Sequence, residues 1–361
     1  MPNRLLAILL SAILLLTGCG FKDIDKRFLI VALGIDQGSE KKYEVTVKLI
    51  IPTTLTEPGK SNFQIVSKEA DSIPEALELM RSDVDKELDL SHAKVTVFGN
   101  KIAQGDMKKH IDWFVRRRGV QRIEYVAVAE HSAKEILELS QKSERLPGNS
   151  LILSFGREGT ESSYILTEYL YDFYERLLEK GRDPYLPVIK IRNHTYEINQ
   201  VALFDKSKIK MVLEPDQTLI LNQLMYMHPG FEVNIKEQNL KASLAVHKYK
   251  YRYKINTSNH NQPTIDFFVK LRGIAEESSA TILESNRADI ERVAERTIEK
   301  SYLDLLNRLK NMQLDPVGFG LRYIATRHGG HQDWDNWKTL YPRVKFNVKA
   351  RVTLDSTGEI E

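Results

Sequence analysis

Cysteine is almost missing from this 361-residue chain, which has one, Cys19. An internal disulfide and the multi-cysteine zinc sites are therefore excluded. A dominant charge is missing too. Lys and Arg number 52 against 49 Asp and Glu, a formal net charge of +3, which argues against a dedicated nucleic-acid binder. Proline (12) and glycine (19) are too sparse for a fibrous or low-complexity chain. The 42% hydrophobic content is instead enough for two or three domains, each with its own core. Beyond the N-terminus, no stretch has 18 consecutive apolar residues. A Gly-x-Ser-x-Gly elbow, a P-loop and a Gly-x-Gly-x-x-Gly fingerprint are all lacking, which removes the commonest hydrolase and nucleotide-binding signatures. No catalytic residue, metal ligand or cofactor site is assigned from the sequence.

What is present first is an export signal. Arg4 supplies a positive start, and Leu5 to Leu16 form an apolar run interrupted only by Ser11. The run is too short to span a bilayer, which takes about 20 residues, and suits a signal peptide. It ends in Leu16-Thr17-Gly18-Cys19, a bacterial lipobox. Small residues before the cut suit the peptidase, and a cysteine thiolate can form a stable thioether to a diacylglyceryl group. Cys19 is therefore expected to be the lipidated N-terminus of a body lying on the outer face of a membrane. With so small a net charge, adhesion to lipid by overall charge should be a minor term beside the acyl chains.

The body reads as alternating strands and helices. Phe28 to Leu33 and the strictly alternating Tyr43 to Ile51 suggest a hairpin, with Phe63 to Lys68 a third strand. A helix capped by Ser72 carries Ile73, Ala76, Leu77, Met80, Val84 and Leu88 on one face. Strands at 93–98 and 125–129 alternate with a helix ending in Arg116-Arg117-Arg118-Gly119 and one beginning after Ser132. Residues 142–161 look irregular, 164–180 helical, and Asp183 to Pro187 a stiff connector. The second half offers a hairpin at 196–213, a helix near 216–227, strands at 244–253 and 264–273, a helix over 286–312, and a closing strand at 344–354. The fold class is therefore α+β: largely antiparallel or mixed sheets backed by helices, with a long helix on a C-terminal antiparallel sheet. The expected division is a signal peptide over 1–18, an N-terminal region over 19–189 with room for two subdomains, and a C-terminal domain over 190–361.

Taken together, the motifs resemble the Ger(x)C family, the C-subunit lipoproteins of bacterial spore germinant receptors. The resemblance rests on the lipobox, Asp25, the run Phe28 to Asp36 containing Ala-Leu-Gly-Ile-Asp, and Tyr43 to Val47. Farther on it rests on Asp315-Pro316-Val317-Gly318-Phe319-Gly320, Trp334, Trp337, Tyr341-Pro342 and the last strand. It implies a non-enzymatic, membrane-anchored subunit built from three mixed α and β domains. Its implied partners are two polytopic membrane proteins: an A subunit and a transporter-like B subunit. Such a complex senses small nutrients and triggers ion release from the dormant spore. The alternative is a substrate-binding lipoprotein of an uptake system. The hairpin-like strand pairs disfavour it, because such proteins are usually two-lobed with parallel sheets.

Several residues admit a sharper reading. His328, His331, Asp333 and Asp335 could hold zinc, but a solvated Gly-rich loop is the favoured reading. Gly318-Phe319-Gly320 could cradle phosphate, but a helix-to-loop corner with Phe319 in the core is favoured. Asp36 reads as a strand-end turn residue. Lys248 to Lys254 interleaves tyrosines with basic residues, as in single-strand nucleic-acid binders. An exported two-faced strand explains it better. Trp334 and Trp337 could be core residues or a partner anchor.

Overall fold

The computed structural model describes residues 26–50, 63–141, 149–155, 162–226, 230–237, 240–259, 261–278, 284–327 and 329–355. Two sheets organise them.

The first sheet begins with β1 (Arg27–Gln37), β2 (Tyr43–Ile50) and β3 (Phe63–Ala70), joined antiparallel as the alternation predicts. Helix α1 (Ile73–Met80) follows, its N-terminal Glu75 amide bonded to Ser72 Oγ. It ends eight residues before the expected Leu88. Ser82 Oγ bonds back to the Leu79 carbonyl, a local competitor for helical pairing. Leu88 lies instead in β4 (Glu87–Asp89), parallel to the start of β1. Next come β5 (Val95–Phe98), α2 (Asn100–Ala103), α3 (Met107–Arg116), β6 (Tyr125–Ala129) and α4 (Ala133–Glu138). Gly119, just past α3, has φ +94°, the left-handed conformation its type favours. Within 142–161, the residues 149–155 form helix α5 (Asn149–Phe155), which the irregular reading missed. The next helix, α6 (Leu170–Leu178), is shorter than the expected 164–180. Its upstream segment runs extended, with the Val126 amide bonded to the Glu168 carbonyl.

Strands β7 (Tyr185–Arg192), β8 (Thr195–Phe204) and β9 (Ile209–Leu213) complete a nine-stranded mixed sheet. Its order is β3-β2-β1-β5-β6-β7-β8-β9, with β4 beside β1. The stretch read as a connector thus enters the sheet at Tyr185. The 189/190 division falls inside β7, and the same sheet continues to Leu213.

Both faces of this sheet are covered. Thr46 and Lys48, expected on a polar outer face of β2, are buried. Helix α4 lies over that face, and Lys48 Nζ donates to the Leu139 carbonyl at 3.1 Å.

After α7 (Pro215–Tyr226), the second sheet runs β10 (Phe231–Glu237), β11 (Leu240–Asn256), β12 (Thr264–Ser278). Helix α8 (Glu284–Asn311) then spans 28 residues, about 42 Å. Two short helices, α9 (Phe319–Ala325) and α10 (His331–Leu340), lead to β13 (Lys345–Leu354). The first three strands pair antiparallel, but β13 pairs parallel to β12. The C-terminal sheet, expected to be antiparallel, is thus mixed at its last strand. The intervening helices carry the chain back along the sheet, so the last strand starts from the same end as β12. The buried stripe of α8 is as expected except for Met312, which lies past the helix end and is 40% exposed. In β11 the Lys/Arg side chains are exposed, while Tyr249, Tyr251 and Tyr253 turn toward the core.

The edge of this sheet has an unusual guard. Along α8, Glu291, Glu295 and Glu299 accept the backbone amides of Leu354, Val352 and Ala350 at 2.8, 3.1 and 2.9 Å. Glutamates four apart share one helix face, and alternate amides of an edge strand point one way, so the two periods mesh. An edge with free amides is a template for another strand. Changing all three glutamates to Ala should lower stability by about 1 kcal/mol per lost bond and promote self-association. Sedimentation across a concentration series checks it, against an unchanged size distribution.

Candidate functional site

The two motifs that carry the family resemblance fold into the same device: a carboxylate closing the N-terminus of a short helix. In the first, Asp36 ends β1 with its side chain buried. Its Oδ1 accepts the Ala133 amide at 2.9 Å, and Oδ2 accepts Ser132 Oγ at 3.0 Å and the Lys134 amide at 2.8 Å. The two amides are donors that a helix start leaves without intrahelical partners. Gly34 lets α4 approach, since a Cβ there would stand 3.2 Å from the Ala133 Cβ. Gly99 makes room for the cap, since its Cβ would fall 1.9 Å from Asp36 Oδ1. Asp36 is therefore more than a turn residue. It ties β1 to a helix almost a hundred residues away.

In the second device, Asp315 Oδ1 accepts the amides of Gly318 (2.8 Å) and Phe319 (3.0 Å), and Oδ2 accepts that of Gly320 (2.7 Å). Gly318 sits at φ +87°, where a side chain is strained. Phe319 is fully buried against Tyr253, Phe267 and Phe346. This is the corner expected from the sequence. Burial pushes the Asp315 carboxyl up to about 7, against the pull of the three amides.

Around that corner the two sheets are joined by a buried polar chain that sequence reasoning missed. Asp183 exchanges backbone and side-chain bonds with Asp315: its Oδ2 accepts the Asp315 amide at 2.7 Å, and its amide donates to the Asp315 carbonyl at 2.8 Å. Lys206 Nζ lies 3.4 Å from Asp183 Oδ1 and donates to the carbonyls of Arg176 and Arg182. Arg176 donates to Glu168 Oε1 at 2.9 Å, to the Pro316 carbonyl at 3.0 Å and to the Asp183 carbonyl at 3.2 Å. Its guanidinium also stacks on Tyr185. Burial raises Glu168 to about 7, with Arg176 opposing it. Burial likewise raises Asp183 and lowers Lys206. Backbones touch here as well. The Leu321 amide donates to the Gly181 carbonyl at 2.8 Å, and a Cβ on Gly181 (φ +79°) would collide with Gly320 at 2.4 Å. One signal for the network was legible. Arg176 sits on the buried face of its helix between Phe173 and Leu177, where a lone charge demands a partner.

Chemically, every carboxylate oxygen of Asp36 and Asp315 is engaged by donors. Neither is free to act as a base or a metal ligand, and both hold architecture. The suspected zinc cluster does not assemble among the described residues. No group of three His, Cys, Asp or Glu side chains there could hold a metal. His331 begins α10 rather than lying in a loop, is exposed, and has its Nδ1 3.1 Å from Lys180 Nζ. Asp333 accepts the Gly329 amide at 2.6 Å, and Asp335 pairs with Lys338 at 2.8 Å. His328 lies outside the described residues, as do Leu16, Thr17, Gly18 and Cys19. Trp334 and Trp337 do share a helix, and both pack on the core, Trp337 almost completely. His331→Ala should change stability by no more than about 0.5 kcal/mol and leave a germination response intact. A variant that melts normally yet is inactive would restore a chemical role to this histidine.

Comparison with known proteins agrees with both halves of the architecture. Residues 20–191 match the profile of the spore germination protein N-terminal domain, and residues 199–358 that of the spore germination B3/GerAC-like C-terminal region. Spore germination protein GerQC of Bacillus cereus is 22% identical over 368 residues, covering 100% of both chains. The putative spore germination protein YfkR of Bacillus subtilis is also 22% identical, covering 96% of this chain and 94% of its own. The crystal structure of the GerBC protein superposes with a TM-score of 0.59 at 16% identity, over 89% of this chain and 96% of that one. Among the described residues, no helix is long and apolar enough to cross a membrane.

Proposed function

The chain belongs to the Ger(x)C family of spore germination proteins, and from that premise we propose that it is the lipid-anchored C subunit of a germinant receptor, working by contact with polytopic A and B subunits rather than by catalysis. The observation that carries this reading is the order of its parts. A lipobox at 16–19 stands directly before a chain that matches the two family regions almost end to end. The two family motifs serve architecture, which fits a protein whose output is a surface. The uptake-lipoprotein alternative rests on the lipobox alone, and the mixed and antiparallel sheets speak against it.

Cys19→Ala tests the anchor. Palmitate labelling should vanish, the protein should leave the membrane fraction, and germination should slow, because tethering raises local concentration at the partners by about 100-fold or more. Labelling that persisted in Cys19→Ala would remove the lipoprotein reading. Normal localisation with lost co-purification of the membrane subunits would separate contact from anchoring.

A further inference from the structure

Strand direction places several exposed side chains at the end of the first sheet where the chain enters β1. Strands β1, β5 and β6 run parallel, with Ala32, Val95 and Tyr125 level with one another. Helix α3 returns toward the starting end of those strands and delivers Arg116, Arg117 and Arg118 there, all exposed. Exposed Arg122 follows, then Ile123, which is 64% exposed two residues before β6 begins. Tyr171, 39% exposed, joins them through its amide bond to the Arg122 carbonyl and stacks on Tyr169. Arg116 is paired with Asp112 at 2.9 Å, whereas Arg117 and Arg118 have no acidic partner among the described residues. The opposite end of the sheet is different. Its charges are of both signs and paired: Glu69 accepts the amides of Ser39, Glu40 and Lys41, Lys41 pairs with Asp71 at 3.1 Å, and Arg192 with Glu130 at 2.9 Å.

We propose that the end of the sheet marked by Arg117, Arg118, Arg122, Ile123 and Tyr171 is the face this protein lays against an anionic lipid bilayer. The proposal rests on Cys19 being the lipid anchor. Cys19 precedes Lys26 by seven residues, so the tether reaches at most about 25 Å. Strand β1 alone is about 36 Å long. The anchor therefore keeps the bilayer at the β1 entry end and away from the opposite one. Arginines suit phosphate headgroups, and an exposed isoleucine and tyrosine suit the boundary between headgroups and acyl chains. The overall charge of +3 conceals this, because Arg117 and Arg118, without an acidic partner among the described residues, are gathered at one end of one sheet. The basic end acts mainly on orientation, presenting the rest of the body at a set angle to its membrane partners.

The test uses the mature, lipidated full chain. Its Cys19 thiol is occupied, so an introduced cysteine is the sole reactive thiol. Ile123→Cys and, at the far end, Glu40→Cys each receive an environment-sensitive fluorophore. The proteins are placed on vesicles of phosphatidylcholine, or of phosphatidylcholine with phosphatidylglycerol, carrying brominated acyl chains. On the anionic vesicles the label at 123 should be quenched at least about threefold more than the label at 40. R117E/R118E/R122E should bring it down to the level of position 40 while flotation with the vesicles persists. The milder R117Q/R118Q, which alters only exposed side chains, should give an intermediate value and serves if the triple variant misfolds. Equal quenching at the two positions, or quenching at 123 that ignores the charge changes, overturns the proposal. A chain that does not float on neutral vesicles sinks the anchor reading instead. The face is then decided on anionic vesicles at low salt, where binding lost on charge reversal upholds it and absent binding ends it.

Discussion

Replacing Phe319 with Ala should lower the melting temperature by roughly ten degrees, and Asp315→Ala should do at least as much. The ring of Phe319 is fully buried among three aromatic side chains, and deleting it leaves a cavity worth about 3–5 kcal/mol. Asp315→Ala leaves three amides in a buried corner without an acceptor, at about 1–3 kcal/mol each before any relaxation. The exchange with Asp183, which joins the two sheets, runs through the backbone amide and carbonyl of residue 315, so it stays in place and the loss reads the cap alone. Asp315→Asn keeps the shape but turns an N–H group toward one of those amides, so it should recover only part of the loss. Thermal melts of the three variants, paired with a germination assay, read the result. A Phe319→Ala protein that melts normally yet no longer associates with membrane subunits would make this corner an interface.

Glu124→Gln should stabilise the protein, and increasingly so as pH rises. Glu124 is buried, with Oε1 accepting Thr96 Oγ1 at 3.0 Å and Oε2 unpartnered among the described residues. Burial pushes its pKa from 4.5 up to about 8. The folded protein therefore keeps a proton that the unfolded chain has released between those two values. Across that window the folded state loses about 1.4 kcal/mol per pH unit relative to the unfolded one, on the order of 4–5 kcal/mol in all. Below pH 4.5 both states hold the proton and the effect disappears. A glutamine side chain has the same shape and no charge. The variant and the natural protein should thus be about equally stable near pH 4 and diverge by several kcal/mol at pH 8. His110, lowered to about 4 chiefly by burial, gives an opposite trend at acid pH, but it is common to both proteins and cancels. Denaturant titrations at pH 4, 6 and 8 measure the difference, and a stabilisation that does not vary with pH would contradict the assignment.

The pairing and the core-facing side of the elements with a clean repeat were read correctly from the chain. The β1–β2 hairpin, the long α8 stripe, the tyrosine face of β11 and the Phe319 corner each follow from side chains within one segment or its sequence neighbour. The readings that failed depended on groups far away in sequence. Thr46 and Lys48 look like an outer face until α4, some 85 residues later, covers them. Asp183 and Tyr185 look like a linker until Asp315 and β8 pair with them. Asp36 looks like a turn residue because its three donors lie at 132–134.

Composition and local order by themselves determined that this is an α+β body with no internal disulfide and that its single cysteine closes a Leu-Thr-Gly-Cys motif, and the order of its motifs was enough for a resemblance to the Ger(x)C family. The first two of these conclusions need only residue types and short spacings, which propensity and periodicity translate directly. Tertiary structure alone decided that β13 runs parallel, that the first sheet continues through β9, that both signature motifs are carboxylate caps, and that the arginines at 116–118 and 122 share one end with the entry to β1. Each of these joins groups separated by many residues, and the free energy that selects such a pairing, burial of apolar surface and satisfaction of buried polar atoms, is a property of the packed chain rather than of any segment.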